Sequence, residues 1–210
     1  MLKTLKNILI YLFFPVIFTM LFINDISNKL YMPLIFIGHI IILIYFYFVY
    51  KDIFINDFKT FKRKYIKTIF LYWIIGFILM VISNFIINLI IPNGISNNEQ
   101  ANIDMLINNK LLYSIMLCFI IPFIEEVVFR IELKKKYKNK YIFVLLSSLI
   151  FALLHLLSNN NLIELLYFIP YFILGITFSL IYFKNDNIYS NILAHMLHNS
   201  VIVIYYLIFL

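Results

Sequence analysis

Two adjacent glutamates, Glu125 and Glu126, lie in the middle of an apolar stretch and are the first residues whose types suggest chemistry. An ionisable group at bilayer depth costs at least about 2.5 kcal/mol, so a carboxylate in such a stretch usually has a specific role. Arg130 follows Glu126 by four residues, and side chains at this spacing share a helix face, so we expect an ion pair between them. Glu125 points about 100° away and has no cation on its own face. A buried carboxylate of this kind suits a general base.

Three histidines and an asparagine in later apolar stretches could complete such a site. His155 ends one stretch, while His195 and Asn199 are four residues apart and share a face of the last one. His198 is three residues from His195. With the lone glutamate, these side chains supply a base, imidazoles and an amide donor, which are the parts of a hydrolytic site. His39 stands alone in an earlier stretch, so we expect only a packing or hydrogen-bonding role for it.

Membrane-spanning helices are the elements that must position these residues. Hydrophobic residues make up 64% of the chain and charged residues 13%, whereas soluble domains carry about 45–50% and about 25%. The runs lack the alternation of β-barrel strands. We therefore expect an all-α, polytopic transmembrane bundle of about seven helices with a buried polar site. Stretches near the required length of about 20 apolar residues are 7–23, 30–50, 66–91, 111–131, 141–157, 162–183 and 190–210.

The net charge of +7 follows a membrane pattern rather than a nucleic-acid-binding one. If the N-terminus is cytoplasmic and the helices alternate, all 17 Lys and Arg except Lys29, Lys110 and Arg130 fall on the cytoplasmic side. This distribution obeys the positive-inside rule, and such loops lie on anionic lipid head groups. We therefore expect a multi-pass protein of the cell membrane, with membrane lipids as partners and no nucleic acid.

The chain is expected to form a single transmembrane domain over residues 1–210, with the motif-bearing part at approximately 111–210. No linker rich in Gly, Ser or Pro divides it. Residues 51–65 mix charges with aromatic and aliphatic residues, which fits either an amphipathic helix on the inner surface or a solvated loop. Residues 92–109 are expected to form a flexible external loop, and residues 158–161 a short hairpin turn.

Three motifs in a fixed order resemble the CPBP family of intramembrane proteases, which includes CAAX proteases and bacteriocin-processing enzymes and is also called the Abi family. The family motifs Glu-Glu-x-x-x-Arg, Phe-x-x-x-His and His-x-x-x-Asn/Asp are matched in turn by Glu125, Glu126 and Arg130, by Phe151 and His155, and by His195 and Asn199. The matching region spans about residues 120–205. The ordered set is specific, although each motif alone is weak. Ile131 departs from the pattern, because Gly often follows the Arg in this family.

The resemblance implies an intramembrane endopeptidase that hydrolyses a peptide bond of a small membrane-associated or lipidated peptide. It implies that Glu125 activates the water, with assistance from His155. It also implies that His195 and Asn199 donate hydrogen bonds to the oxyanion, whose charge develops in the transition state. Supporting roles would fall to Glu126, Arg130 and Phe151.

The preferred mechanism requires no cofactor, although a bound zinc ion stays an alternative. Its ligands would be His155 and His195, with His198 as a further candidate. The sequence contains no His-Glu-x-x-His pair of the kind that binds catalytic zinc.

Two other functions stay open at this point. The first is a non-proteolytic bacteriocin immunity or scaffold protein, because the family is also associated with self-immunity. The second is a transporter, because buried carboxylates and histidines also serve in proton relays. The sequence has no evident inverted repeat to favour transport.

Overall fold

The computed structural model describes residues 2–23, 29–157 and 161–209, and in this part of the chain every regular element is a helix. The helices are α1 (Leu2–Met20), α2 (Tyr31–Val49), α3 (Lys51–Thr60), α4 (Lys64–Ile90), α5 (Asn97–Asn108), α6 (Lys110–Lys136), α7 (Lys140–His155), α8 (Leu162–Asn185) and α9 (Ile188–Phe209).

Five of these helices, α2, α4, α6, α8 and α9, are long and apolar enough to cross a membrane. The remaining two stretches predicted to span correspond to shorter apolar helices, Lys6–Met20 within α1 and Lys140–His155, which is α7. The predicted all-α, polytopic helical bundle is confirmed. The expected turn at residues 158–161 lies outside the described residues except for Asn161, whose side chain caps the start of α8.

The prediction of a flexible loop at residues 92–109 was wrong, because most of this segment forms α5. Ser96 caps the helix by accepting a hydrogen bond from the backbone N–H of Glu99 at 3.1 Å. Ile103 and Leu106 are buried against the bundle. Their spacing of three residues is a helical period, but two apolar residues among many polar ones gave too weak a signal in the sequence.

Most of residues 51–65 is helical, as in the first of the two alternatives, since α3 occupies Lys51–Thr60. Its position on the inner membrane surface stays a prediction. Phe54 anchors the helix by stacking on Phe123 of α6, with ring centroids 4.9 Å apart. Asp57 is buried and accepts a hydrogen bond from the backbone N–H of Ile188 at 2.7 Å. A carboxylate is favourable at a helix N-terminus, so α3 fixes the beginning of α9.

Helix α6 is not a uniform α-helix. It contains two π-helical turns, Met116–Ile120 and Val127–Ile131, with an α-helical segment between them. Pro122 follows the first turn and has no N–H to donate, which disturbs the regular hydrogen bonding just before it. The second turn begins directly after the two glutamates. π-Helical turns are frequent at functional sites. Here they flank Glu125 and Glu126, and the second turn contains Arg130.

Small residues allow α8 to approach its neighbours closely. A Cβ atom on Gly175 would lie 2.8 Å from the Cα atom of Ser148 in α7, so only glycine fits there. On the other side of α8, Thr177 packs directly on Gly76 of α4. Close contact through small residues is a common way to pack helices in lipid. It holds α7 and α8 at a fixed distance beside the site.

Candidate active site

A cavity of about 280 Å³ opens between the helices, and the candidate catalytic residues of all three motifs line it. They are Glu125 from α6, His155 from α7, and His195 and Asn199 from α9; Phe151 of the second motif and His198 also line the cavity. Glu126 and Arg130 lie outside this lining. The two neighbouring glutamates of α6 therefore face different surroundings.

Glu125 is buried but reaches the cavity with its carboxylate. One of its oxygens, Oε1, accepts a hydrogen bond from the hydroxyl of Tyr11 in α1. The other, Oε2, lies 3.7 Å from Nε2 of His195. That distance is too long for a hydrogen bond, so both atoms keep hydrogen-bonding capacity for a molecule in the cavity.

Glu126 is enclosed by three partners and is 0% exposed. Its Oε2 lies 3.1 Å from Nε of Arg130, which is the ion pair expected from their spacing. Asn191 donates its side-chain N–H to the same oxygen. Oε1 lies 2.7 Å from Nδ1 of His195. A carboxylate facing Nδ1 fixes the orientation of the imidazole and directs Nε2 towards Glu125.

Arg130 is also 0% exposed and is compensated from more than one side. Its Nη1 donates to Oγ of Ser147 in α7. The same Ser147 hydroxyl donates to the carbonyl of Phe129 at 2.8 Å. The guanidinium carbon lies 5.4 Å from the ring centroid of Phe151, within the range of a cation–π interaction. The first and second motifs are thereby joined through one buried cation.

His155 shows why an aromatic residue occupies the other position of the second motif. Its ring centroid lies 4.3 Å from that of Phe151, and its Nδ1 lies 2.8 Å from the carbonyl oxygen of Phe151. On its other side the imidazole stacks on Tyr171 of α8 at 4.7 Å. With Nδ1 engaged, Nε2 is the atom of His155 that is available to a molecule in the cavity.

The remaining polar residues of α9 differ in how strongly they are held. Asn199 donates one amide hydrogen to the carbonyl of Leu117, in the first π-helical turn, at 2.8 Å, so the second hydrogen is left for another acceptor. His198 is buried between the rings of Phe77 and Phe178, and its Nδ1 has no partner in the described part of the chain.

His39 lies apart from the site, where its Nδ1 is 2.8 Å from the carbonyl oxygen of Ile35, as its expected hydrogen-bonding role requires.

The histidines do not form a ready set of metal ligands. Within residues 2–23, 29–157 and 161–209 there is no group of three His, Cys, Asp or Glu side chains placed to hold a metal ion. His155 and His195 each use Nδ1 for another interaction. A metal-bound imidazole usually engages its other ring nitrogen in this way, and Nε2 of both histidines stays available, so zinc stays an alternative from the sequence.

Helix α5 closes one side of the cavity and contributes Glu99, whose carboxylate was not recognised as part of the site in the sequence. Glu99 accepts a hydrogen bond from the hydroxyl of Tyr206 in α9 at 2.5 Å. Burial raises the pKa of the Glu99 carboxyl above its usual value, and the Tyr206 bond opposes this shift. The Tyr171 hydroxyl lies 3.0 Å from both Oγ of Ser96 and Nδ2 of Asn98, which ties α5 to the helix that stacks on His155.

A second cavity of about 420 Å³ borders the first, between α4, α8 and α9. Glu99, Tyr171, His198 and Tyr206 line both cavities. The polar end of α5 thus stands where the two spaces meet. Several of the second cavity's other wall residues are apolar, among them Met80, Val81 and Phe85.

Other functional partners were missed in the sequence for different reasons. Asn191 precedes His195 by four residues and Ser147 precedes Phe151 by four, so the helical period could have placed both on the motif faces. Tyr11 gives no such signal. It lies more than 100 residues from Glu125 in the sequence, and only the packing of α1 brings them together.

Residues 107–201 match the family model described as Type II CAAX prenyl endopeptidase Rce1-like. The matched segment contains all three motifs, and it confirms the resemblance to the CPBP family over these residues. At the level of the family, it indicates an intramembrane protease of the CAAX type. The match begins at the end of α5 and does not include α1 to α4. No curated protein and no solved structure matches the chain.

Proposed function

We propose that this chain, similar over residues 107–201 to CAAX-type intramembrane proteases, is an endopeptidase that cleaves a small membrane-associated or lipidated peptide through a Glu125-activated water. One observation carries the proposal: a single cavity collects Glu125, His155, His195 and Asn199 from three different helices. A carboxylate, two imidazoles and an amide around one cavity are the groups that peptide hydrolysis needs.

In this mechanism Glu125 takes a proton from water through Oε2, the oxygen that lies 3.7 Å from Nε2 of His195. The resulting hydroxide attacks the peptide carbonyl. The proton then passes to the leaving amine nitrogen when the C–N bond breaks, with Nε2 of His155 assisting. A base positioned to move a proton in this way typically contributes about 10²- to 10⁴-fold in rate.

The oxyanion would be stabilised by donors from α9. His195 faces Glu126 with Nδ1. In this mechanism the Glu126 carboxylate would stabilise the imidazolium that forms when His195 takes up a proton, and Nε2–H would then donate into the cavity. The second amide hydrogen of Asn199 supplies another donor. Donors that are fixed before the reaction lower the barrier most, because they need no reorganisation as charge develops.

Glu126 and Arg130 would support the site without touching the substrate. Two adjacent buried carboxylates repel each other, and one of them is compensated by the guanidinium at 3.1 Å. The same guanidinium contacts Phe151, which in turn packs on His155. Glu126 and Arg130 would therefore set the distances between the catalytic groups on α6, α7 and α9.

The proposal also names the class of substrate and the location of the protein. A lipidated C-terminus, a bacteriocin leader and a signalling-peptide precursor all place a peptide bond near a membrane, where this cavity could receive it. We place the protein in the cell membrane, with the N-terminus and the Lys-rich loops in the cytoplasm, because of the positive-inside distribution.

The experiment that tests the function compares the peptides of cells producing the wild type and Glu125→Gln at equal membrane abundance. We expect a peptide or a trimmed C-terminus to disappear in the variant, which would also identify the substrate. Asp104→Asn is the matched control, because this carboxylate is exposed on α5 and outside the cavity lining. Identical peptide profiles, with the wild-type phenotype retained in Glu125→Gln, would instead support a binding or immunity role.

A further inference from the structure

Tyr11 joins the catalytic cavity from α1, a helix that lies outside the segment matched to the family. Its hydroxyl donates to Oε1 of Glu125. Its ring meets the ring of Phe129 edge-on, with centroids 6.3 Å apart. These two contacts attach α1 to the part of α6 that carries the proposed base.

The hydrogen bond makes the two oxygens of the Glu125 carboxylate unequal. Oε1 is occupied by the tyrosine hydroxyl, while Oε2 lies towards His195. A carboxylate without such a partner could rotate about its last side-chain bond, because that torsion is broad. A hydrogen bond to a charged acceptor in a poorly solvated site is among the stronger ones in proteins, so it can hold a single orientation.

We propose that Tyr11 is a positioning residue of the peptidase reaction, whose hydroxyl fixes the Glu125 carboxylate with Oε2 aimed at the water. The role rests on the proposed function, in which Glu125 is the base. It adds a helix outside the family match to the catalytic apparatus. The ring by itself would only fill space, and phenylalanine would fill nearly the same space, so the role resides in the hydroxyl.

Tyr50 provides a matched control for loss of a buried tyrosine-to-glutamate hydrogen bond. Its hydroxyl donates to Glu132 of α6 at 2.6 Å and accepts from Asn7 of α1 at 2.6 Å. It therefore also connects α1 to α6, but it does not line the cavity. Tyr50→Phe should disturb the docking of α1 without changing the orientation of Glu125.

The test uses the full chain, purified and reconstituted in lipid bilayers, as wild type, Tyr11→Phe, Tyr50→Phe and Glu125→Gln. The infrared carboxyl bands that vanish in Glu125→Gln belong to Glu125. We expect these bands to shift in Tyr11→Phe and to keep their position in Tyr50→Phe. On the peptide identified by the peptidomic comparison, we expect kcat of Tyr11→Phe to fall by about 10- to 100-fold with KM nearly unchanged.

Unshifted bands, or a wild-type kcat in a Tyr11→Phe protein that accumulates normally, would overturn the positioning role. Equal losses of kcat in Tyr11→Phe and Tyr50→Phe would overturn it too, because the effect would then come from α1 docking. If Glu125→Gln abolishes cleavage and Tyr11→Phe does not, only the inference about Tyr11 fails. If Glu125→Gln cleaves like the wild type, the peptidase function fails, and the positioning role fails with it.

Discussion

Helix α6 presents two adjacent glutamates to two different environments. Glu125 faces a cavity and has one hydrogen-bond donor on one oxygen. Glu126 is 0% exposed and is surrounded by Arg130, Asn191 and His195. Identical side chains thus acquire different capacities, because only the carboxylate with an accessible oxygen can exchange a proton with a bound molecule. The carboxylate of Glu126 instead contacts protein side chains, which in the proposed mechanism suits it to orienting the imidazole of His195.

The largest expected effect is that of Glu125→Gln on catalysis. The amide keeps the size of the side chain but cannot accept a proton from water, so the cleavage rate should fall by at least about 100-fold. Thermal unfolding of the purified protein in detergent should change little, because the substitution removes a buried charge without stranding a cation. A variant that unfolds readily would show that the cavity face of α6 is structural after all.

Glu126→Gln should have the opposite pattern to Glu125→Gln and lower the stability of the protein first. It leaves the buried guanidinium of Arg130 without its carboxylate, a loss that typically costs about 3–5 kcal/mol. We expect poor accumulation in membranes and a lowered unfolding midpoint, and reduced cleavage as a consequence. A Glu126→Gln protein as stable as the wild type but inactive would break the division between the two faces, because Glu126 would then act in the chemistry.

Ser147→Ala tests the buried surroundings of Arg130 with a smaller expected loss of stability than Glu126→Gln. The substitution removes the acceptor for Nη1 of Arg130 and the donor to the carbonyl of Phe129. Leaving buried polar groups unpaired costs about 1–3 kcal/mol, which should appear as a lower unfolding midpoint. Ser148→Ala is the neighbouring control, since the Ser148 hydroxyl donates to the carbonyl of Val144 in its own helix and lies 3.4 Å from Oγ of Ser179 in α8, away from Arg130. Equal effects of the two substitutions would contradict a special role for the Arg130 network.

The sequence was sufficient to predict features that depend only on neighbouring residues along the chain. The apolar stretches gave the helices, and the four-residue spacing gave the ion pair of Glu126 with Arg130. It also placed His195 and Asn199 on one face, and both line the cavity. These results depend only on the helical period and on the cost of polar groups in lipid.

Features that depend on packing between distant segments could not be read from the sequence. Tyr11 reaches Glu125 only because α1 docks on α6. Asp57 is in a charged stretch that resembles a surface segment, yet it caps the start of α9. Glu99 was assigned to a flexible loop because its neighbours are polar, and its role appears only when α5 folds over the cavity.

The smallest expected effect concerns Glu99, a third carboxylate whose surroundings can be compared with those of Glu125 and Glu126. Burial raises the pKa of its carboxyl, and the Tyr206 bond and the charge of His155 counteract part of the shift. A raised pKa means that the folded protein binds this proton more tightly than the unfolded chain does. The stability that protonated Glu99 contributes is therefore fully present below the pKa of about 4.3 that a Glu has in the unfolded chain. It is lost as the pH rises through the pKa of Glu99 in the folded protein.

Glu99→Gln, which stays neutral at every pH, should consequently gain in unfolding midpoint relative to the wild type as the pH rises from about 4 towards neutrality. Thermal unfolding in the same detergent across this range measures the difference, with Asp104→Asn on the exposed side of α5 as the matched control. A difference that shrinks as the pH rises would mean that the hydrogen bond from Tyr206 outweighs burial. Glu99 would then resemble the satisfied carboxylate of Glu126 rather than a poorly solvated group at the edge of the cavity.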